Sequence, residues 1–186
     1  KVINLLAKGS ERHCRLQLKK TPEEHWSDIR KEINHAINEG LDVNIYLEDW
    51  SNGITKSPQY VYDMVNSLKD LPIKRFMLPD TLGIMNPNEV FEYCKRMVNN
   101  FPHLHFDFHA HNDYDLATAN SFAAGLVGIK GLHCTINGLG ERAGNAPMSS
   151  VVAVLHDMLK LKTGIDETKI NKISHLVEVC EVKAKK

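Results

Sequence analysis

Apolar and polar residues alternate strictly along positions 104–111, which read Leu-His-Phe-Asp-Phe-His-Ala-His. Side chains two positions apart in a β-strand lie on the same face, so this stretch would be apolar on one face and polar on the other. The apolar set is Leu104, Phe106, Phe108 and Ala110. The polar set is His105, Asp107, His109 and His111. The alternation predicts a strand at 104–109 that buries one face and leaves its histidines available for chemistry.

Four further apolar runs have strand character, and helical patterns follow each of the five runs. Strands are predicted at 2–6, 42–47, 73–78, 104–109 and 129–135. Helices are predicted at 21–39, 57–68, 86–99, 115–126, 147–161 and 167–182. The segments 8–13 and 48–53 are predicted to be polar loops. Strict alternation of strand and helix implies a parallel sheet, and the strand spacing fits successive βα units.

Polar side chains capable of chemistry fall at the C-terminal end of every predicted strand. They are Glu11 to His13, Glu48, Asp80 with Thr81, His109 with His111, and Asn137 to Asn145. Barrel enzymes collect their active sites at that face, whereas a Rossmann sheet concentrates glycines in its first βα turn. We therefore predict an α/β chain of the (β/α)8 TIM-barrel class. A complete barrel has eight strands in about 250 residues, so five βα units and a C-terminal helix would form a partial barrel.

His109 and His111 are candidate metal ligands at the end of the fourth predicted strand. Residues at this spacing are about 6.7 Å apart along a strand, and two imidazoles leaning together can share one metal ion at roughly 2.1 Å each. A pKa near 6.5 leaves imidazole mostly neutral at pH 7, as ligation requires. An ordinary solvated or hydrogen-bonded histidine pair is the alternative. Asp107, on the same face, would orient a ligating imidazole or bond to a neighbouring strand.

A second polar loop at 137–145 reads Asn-Gly-Leu-Gly-Glu-Arg-Ala-Gly-Asn. Its three glycines permit backbone conformations that other residues resist, so the loop can fold over a site. It would then present Asn145 or Glu141 as an oxygen ligand, although Asn145 could instead be a turn residue before the helix that Pro147 opens. Two imidazoles with oxygen ligands suit a divalent ion such as Zn, Mn, Co or Fe, and Mg less naturally.

The HAHND and NGLGERAGN segments resemble those of the metal-dependent acyl-CoA Claisen-condensing and lyase barrels. That superfamily includes homocitrate synthase, citramalate synthase, hydroxymethylglutaryl-CoA lyase and 2-isopropylmalate synthase, which this chain resembles most. The resemblance implies that residues 1–186 are the C-terminal portion of a pyruvate carboxyltransferase-like catalytic barrel. It implies His109 and His111 as metal ligands, with Asn145 at or beside the metal. The Asp-x-x-x-Arg-Asp-Gly-like motif of the family's first strand does not occur in this sequence.

The same resemblance implies roles for residues that end two other strands. Glu48 corresponds to a glutamate that faces the substrates and assists proton transfer. Thr81, which follows Asp80 in the same substrate-binding segment, corresponds to a threonine that hydrogen-bonds the carboxylate of a 2-oxo acid. Taken without the resemblance, Glu48 would be a surface carboxylate and Thr81 a turn hydroxyl.

The implied reaction condenses acetyl-CoA with 3-methyl-2-oxobutanoate, and hydrolysis of the thioester by water then releases CoA and gives 2-isopropylmalate in leucine biosynthesis. A bound metal would act as a Lewis acid on the keto group of the 2-oxo acid. A sister activity, as in homocitrate or citramalate synthase or the lyase, is the alternative within the class. Two alternatives lie outside it: an inactive fragment of a barrel, and a metal-binding module without catalysis.

Composition restricts the partners further. The chain has 23 basic and 23 acidic residues, so its zero net charge gives no reason to expect nucleic acid or an anionic membrane as a partner. No signal-peptide pattern is visible, and no apolar run approaches the ~20 residues that cross a bilayer. Four cysteines without a Cys-x-x-Cys pair indicate reduced thiols in a cytoplasmic enzyme. A partial barrel would expose sheet edges, so a homo-oligomer is expected.

Overall fold

The structure is a computed structural model that describes the backbone of residues 1–184 and the side chains of residues 1–180. Five strands form one sheet in the order β1-β2-β3-β4-β5, and every neighbouring pair is parallel. The strands are β1 Val2–Lys8, β2 Asp42–Glu48, β3 Ile73–Asp80, β4 Phe106–Ala110 and β5 Gly131–His133. Because sequential strands are also spatial neighbours, the sheet has the topology of consecutive barrel units, and the predicted fold class is confirmed.

Helices connect the strands and continue beyond the last one. They are α1 Glu11–His13, α2 Pro22–Asn38, α3 Trp50–Lys56, α4 Pro58–Leu68, α5 Pro87–Asn100, α6 Ala117–Leu126, α7 Met148–Asp157 and α8 Ile170–Ala184. A capping box opens α2, where Thr21 and Glu24 bond to each other's backbone N–H groups. No helix among the described residues is long and apolar enough to cross a membrane. All four cysteines are free thiols.

The two predicted loops at 8–13 and 48–53 are wrong in part, because both contain helical turns. Glu11–His13 is helical and continues into a π-helical turn at Cys14–Leu18. Trp50–Lys56 is a helix in which Trp50 is fully buried. Its Ser-Asn-Gly sequence has poor helix propensity, so burial against the sheet and α4 outweighs the local preference. The predicted strand at 129–135 is also too long, since only Gly131–His133 pairs with β4.

The two faces of the sheet differ in character, as the alternation in β4 predicted. Phe106, Phe108 and Ala110 are buried in the core beneath the helices, together with apolar residues of β2 and β3. The opposite face carries Asp107 and His109 and lines a cavity of about 880 Å³. Apolar burial on the helix side therefore fixes which side chains face the cavity.

Gly53 allows α3 to approach the end of β1 closely. A Cβ on Gly53 would lie 2.0 Å from the carbonyl oxygen of Gly9, which is closer than any real contact. The approach brings the middle of α3 against Gly9, which directly follows β1. Only a residue without a Cβ fits there, since the obstructing atom belongs to the backbone and cannot rotate away.

We expect Gly53→Ala to lower the free energy of unfolding by about 1–3 kcal/mol, as overpacking of a core does. The matched control is Gly125→Ala in α6, where the new Cβ meets only the ends of two leucine side chains, Leu155 Cδ2 at 3.2 Å and Leu159 Cδ1 at 3.4 Å. That substitution should be neutral or stabilising, because alanine favours a helix by about 0.5–1 kcal/mol over glycine. Urea denaturation of both variants measures the difference, and equal stabilities would contradict the close approach.

A buried hydrogen-bonded chain joins α2, α4 and β1. The hydroxyl of Tyr60 donates to the carbonyl oxygen of Lys8 at 2.9 Å, so Nδ1 of His25, 3.0 Å from the same hydroxyl, must donate to it. Burial, followed by the nearby charge of Lys20, lowers the pKa of His25 below its ordinary value. The folded protein therefore resists protonation at a site that the unfolded chain protonates near pH 6.5.

We expect this histidine to make stability dependent on pH. Because the pKa of His25 is lower in the folded state, the contribution is fully present above about pH 6.5 and is lost as pH falls, by at most about 1.4 kcal/mol per pH unit. His25→Gln keeps a donor for Tyr60 but does not titrate, so it should lose less stability between pH 7.5 and 5.5 than the wild type. Urea titrations at both pH values measure this, and the exposed His103→Gln should keep the wild-type dependence. A wild-type dependence in His25→Gln would contradict the assignment.

Candidate metal centre

The structure brings the three predicted metal ligands together at the C-terminal edge of the sheet. The ring centroids of His109 and His111 are 4.9 Å apart, and the rings are nearly perpendicular at 84°. His111 also pairs with Asn145 in an isolated antiparallel bridge. The backbone N–H of Asn112 donates to the carbonyl oxygen of Gly144 at 2.9 Å. The glycine loop therefore runs beside the segment that follows β4, and it carries Asn145 to the histidine pair.

Each of these three side chains has a buried polar atom without a hydrogen-bond partner among the described residues. The atoms are Nδ1 of His109, Nδ1 of His111 and Oδ1 of Asn145. Leaving a buried polar atom unpaired costs about 1–3 kcal/mol. Seven other buried side-chain atoms among the described residues are also unpaired, but these three belong to residues that the His109–His111 ring contact and the His111–Asn145 bridge bring together. Imidazole nitrogen and amide oxygen are both donors to borderline divalent metals. The residues present therefore fit a divalent metal ion.

The protonation state of His109 also fits ligation. Burial, reinforced by the neighbouring His111 and His133, lowers the pKa of His109 to about 4. Its imidazole is therefore neutral at pH 7, and no proton has to be displaced before the ring donates to a metal.

Histidine and carboxylate ligands alone do not complete a site here. Among the side chains of residues 1–180, no three His, Cys, Asp or Glu residues gather closely enough to hold a metal ion together. Asn145 is the third candidate donor. Two nitrogens and one oxygen would leave coordination positions open, which is a property of catalytic rather than structural metal sites.

Close backbone contacts within the glycine loop orient the side chain of Asn145. Nδ2 of Asn145 donates to the carbonyl oxygen of Leu139 at 2.9 Å, which leaves Oδ1 as its unpaired acceptor. A Cβ on Gly140 would lie 2.0 Å from Nδ2 of Asn145, so the loop can fold this tightly only with glycine there. Glu141, the alternative oxygen ligand, has a side chain that is 83% exposed. The structure thus places Asn145, and not Glu141, beside the histidines.

Arg142 fastens the loop to the end of two strands. Its guanidinium forms a two-pronged ion pair with Asp113, with Nε–Oδ1 and Nη2–Oδ2 distances of 2.8 and 2.9 Å. Nη2 also donates to the carbonyl oxygen of Thr81 at 2.9 Å. The hydrogen bond from Arg142 holds the pKa of Asp113 below its ordinary value. Planar two-pronged pairing gives the contact a defined geometry, which holds the loop over the edge of the sheet.

Asp80 and Thr81 make mainly structural contacts at the end of β3. The carboxylate of Asp80 is fully buried and accepts the backbone N–H groups of Ile84 and Met85 at 3.1 and 3.0 Å. Burial raises the pKa of Asp80 above its ordinary value. Thr81 Oγ1 accepts the N–H of Asp49 at 2.9 Å, so its own hydroxyl proton remains available to another acceptor. Asp80 therefore shapes the turn that presents Thr81.

Glu48 ends β2 and pairs with Lys8 at the end of β1. Its side chain is 27% exposed, so the carboxylate remains accessible to solvent. None of the hydrogen bonds found among the described residues joins Glu48 to the histidine pair. The structure thus places Glu48 at the same edge of the sheet as the candidate ligands, two strands away from β4.

A buried carboxylate organises the polar face below the histidines. Asp107 accepts from Nε2 of His105 at 2.8 Å, and from His133 and Arg75 at 3.2 Å each. Burial would raise the pKa of Asp107, but hydrogen bonds from His133 and Arg75 outweigh it and hold the pKa below the ordinary value. Of the two roles expected for Asp107, bonding to neighbouring strands is the one observed. Nδ1 of His133 lies 3.0 Å from the hydroxyl of Tyr46.

The sequence analysis did not identify His133 and Tyr46 as part of this face. The ring centroid of His133 lies 5.7 Å from that of His109, so it borders the candidate metal centre. The signal that could have found His133 is its position in the fifth predicted strand. That strand pairs with β4, and the pairing places His133 opposite His109. The three-residue strand β5 is too short for a visible alternation of apolar and polar residues.

Comparison with known proteins identifies the family. Residues 1–177 match the family described as HMGL-like. The chain is 32% identical over 176 residues to a 2-isopropylmalate synthase of Saccharolobus solfataricus, covering 94% of this chain and 45% of that protein. It is 32% identical over 172 residues to a homocitrate synthase of Sulfolobus acidocaldarius, covering 92% of this chain and 35% of that protein. The chain thus spans less than half the length of these two relatives.

Solved structures confirm the barrel fold. The HMG-CoA lyase of Pseudomonas aeruginosa superposes with a TM-score of 0.81 at 21% identity, covering 100% of this chain and 64% of that chain. The HMG-CoA lyase of Bacillus subtilis superposes with a TM-score of 0.80 at 24% identity, covering 95% of this chain and 62% of that chain. The resemblance seen in the HAHND and NGLGERAGN segments is therefore confirmed, and the chain belongs to the HMGL-like family.

Proposed function

We propose that this chain carries the metal-binding part of the active site of an acyltransferase that condenses acetyl-CoA with a 2-oxo acid. The observation that carries the proposal is that three neighbouring residues, His109, His111 and Asn145, each keep an unpaired buried donor atom. Relatives that are named 2-isopropylmalate synthase and homocitrate synthase support this reaction class. The metal is a divalent ion, with Mn, Zn and Co favoured over Mg by the nitrogen donors.

The specific substrate in this proposal is 3-methyl-2-oxobutanoate, and the product is 2-isopropylmalate in leucine biosynthesis. Three relatives named as 2-isopropylmalate synthases, each matching at least 94% of this chain, agree with that choice. Relatives named as citramalate and homocitrate synthases match 95% and 92% of the chain at the same 32% identity, so the resemblance of the two motif segments decides the choice. Homocitrate synthase, citramalate synthase and the lyase remain the alternatives within the class. The alternatives of a different class are an inactive fragment and a metal-binding module without catalysis.

Each candidate site residue has a separate role in the proposed reaction. His109, His111 and Asn145 would hold the metal, which when bound supplies Lewis-acid polarisation of the keto group. The hydroxyl of Thr81 donates a hydrogen bond to the carboxylate of the 2-oxo acid, since Oγ1 already accepts one from the backbone N–H of Asp49. Glu48, partly exposed beside Lys8, assists proton transfer.

The proposal also includes the role of the glycine loop, the part of the barrel that this chain forms, and its oligomeric state. Arg142 holds the loop against Asp113 and Thr81, which keeps the ligand side chain of the loop in position beside the bound oxo acid. The chain itself is the C-terminal portion of a catalytic barrel, which agrees with its spanning 62–66% of three HMG-CoA lyase chains. A homo-oligomer in the cytoplasm is part of the same proposal.

We expect the chain to bind one Mn²⁺ or Zn²⁺ ion, measured by isothermal titration calorimetry. His109→Ala and His111→Ala should each weaken binding more than about tenfold, since even loss of an outer partner of a metal ligand costs that much. His103→Ala is the matched control, because His103 is exposed in the loop before β4. Wild-type affinity in the two ligand variants would contradict the proposed metal centre.

The reaction is tested by CoA release in the complete enzyme, followed with a thiol reagent. Release from acetyl-CoA is expected to be fastest with 3-methyl-2-oxobutanoate among a panel that also contains pyruvate and 2-oxoglutarate. Residues 1–186 alone should release no CoA, because a partial barrel lacks the remaining wall of the site. Preference for another oxo acid would move the assignment to a sister enzyme. Metal retention without dependence on any oxo acid would favour the non-catalytic module.

A further inference from the structure

Two hydrogen bonds join the side chain of Asn137, in the glycine loop, to helix α8. Nδ2 of Asn137 donates to the carbonyl oxygen of Ser174 at 3.0 Å. In return, Oγ of Ser174 donates to Oδ1 of Asn137 at 2.5 Å. The carboxamide is therefore bonded at both ends to one residue of the helix, across 37 positions in the sequence.

Asn137 adopts a backbone conformation that needs support. Its φ and ψ are 58° and 17°, in the left-handed region, inside the short 3₁₀ turn Ile136–Gly138. Asparagine tolerates this region better than most residues with a side chain, but it does not prefer it. The paired hydrogen bonds with Ser174 hold the carboxamide and so help to keep this conformation. Helix α8 packs directly on this same turn.

The conformation of this turn is transmitted to Asn145 by short hydrogen bonds. The backbone N–H of Asn145 donates to the carbonyl oxygen of Gly138 at 2.9 Å. The side-chain Nδ2 of Asn145 donates to the carbonyl oxygen of Leu139 at 2.9 Å. Both acceptors belong to the two residues that directly follow Asn137. Any rotation of the peptide units after Asn137 therefore moves the two groups that orient the Asn145 carboxamide.

The rest of the helix has a largely exposed surface. Ile173, Leu176 and Val179, spaced three residues apart on α8, are 39%, 62% and 37% exposed. This side of α8 does not face the loop. Ser174 lies on the partly buried side with Ile170 and Val177, so its contact with Asn137 is one of the interactions that set the position of the helix relative to the loop.

We propose that Asn137 and Ser174 are positioning residues, through which helix α8 fixes the orientation of Asn145 as a metal ligand. The inference rests on the proposed function only in taking Asn145 as a ligand. The coupling itself is a property of the loop and the helix, so it can be measured without metal. Neither residue touches the metal in this proposal, because both act through the carbonyl groups of Gly138 and Leu139.

Amide hydrogen exchange of the metal-free protein tests the coupling. In Ser174→Ala, the Asn145 amide should exchange about fivefold faster than in the wild type, the effect of losing one ordinary hydrogen bond. The matched control is Asn171→Ala on the same helix, because Asn171 is exposed and its side chain makes no hydrogen bond among the described residues. Unchanged exchange in Ser174→Ala, or an equal increase in the control, would overturn the proposal.

A second variant removes the same hydrogen bonds without a substitution in helix α8. Asn137→Gly retains the left-handed backbone without strain but removes both contacts with Ser174. Its Asn145 amide should exchange at least as fast as that of Ser174→Ala, and the double variant should exchange no faster than Asn137→Gly. An additive effect in the double variant would show that the two residues act independently, which is incompatible with the proposed coupling.

Titration with Mn²⁺ then tests whether the contact between Asn137 and Ser174 affects metal binding by Asn145. Mn²⁺ affinity should fall about three- to fivefold in Ser174→Ala, in step with the looser loop, and remain unchanged in Asn171→Ala. Faster exchange with unchanged affinity would overturn the positioning role. If the wild type binds no metal, the proposed function fails on that result, and the exchange data alone still decide whether α8 controls the orientation of Asn145.

Discussion

The arrangement of the candidate site depends on a parallel sheet whose two faces cannot be exchanged. Phe106, Phe108 and Ala110 are buried against the helices, so the residues between them must face the cavity. A shift of one residue in the register of β4 would bury Asp107 and His109 in the apolar core, at a large cost in free energy. Packing on one side of the sheet therefore determines the chemistry available on the other.

The same constraint explains why ionisable residues on this face have different roles. Asp107 is surrounded by three basic side chains and remains ionised, holding His105 and His133 in fixed positions. His109, two residues later, has no such partner and stays neutral with an unpaired nitrogen. A carboxylate saturated with hydrogen bonds gives rigidity, whereas an unpaired imidazole is available to a ligand. The hydrogen bonds of Asp107 with His105, His133 and Arg75 thus form a polar network next to the candidate metal centre.

The glycine loop adds the second element of the site through backbone contacts. Its antiparallel pairing with the segment after β4 places Asn145 beside His111, and Arg142 ties it to Asp113 and Thr81. These contacts join the ends of β3 and β4 to residues that follow β5. The candidate ligands lie where three successive βα units meet, as expected for a barrel enzyme. Family membership agrees with this architecture.

The sequence by itself determined the alternation of strands and helices and the three candidate ligands. It also determined which side chains of β4 face the core and which face the cavity. These features arise from local periodicity and from short motifs, such as HAHND and NGLGERAGN, that can be recognised without coordinates. Tertiary structure alone decided that Trp50–Lys56 is a helix, that Asp80 holds a turn, and that Asn145 rather than Glu141 reaches the histidines. It alone joined Asn137 to Ser174 and His133 to Asp107. Such contacts depend on burial and on hydrogen bonds between residues distant in sequence, and these energies outweigh the local preferences from which a sequence pattern is read.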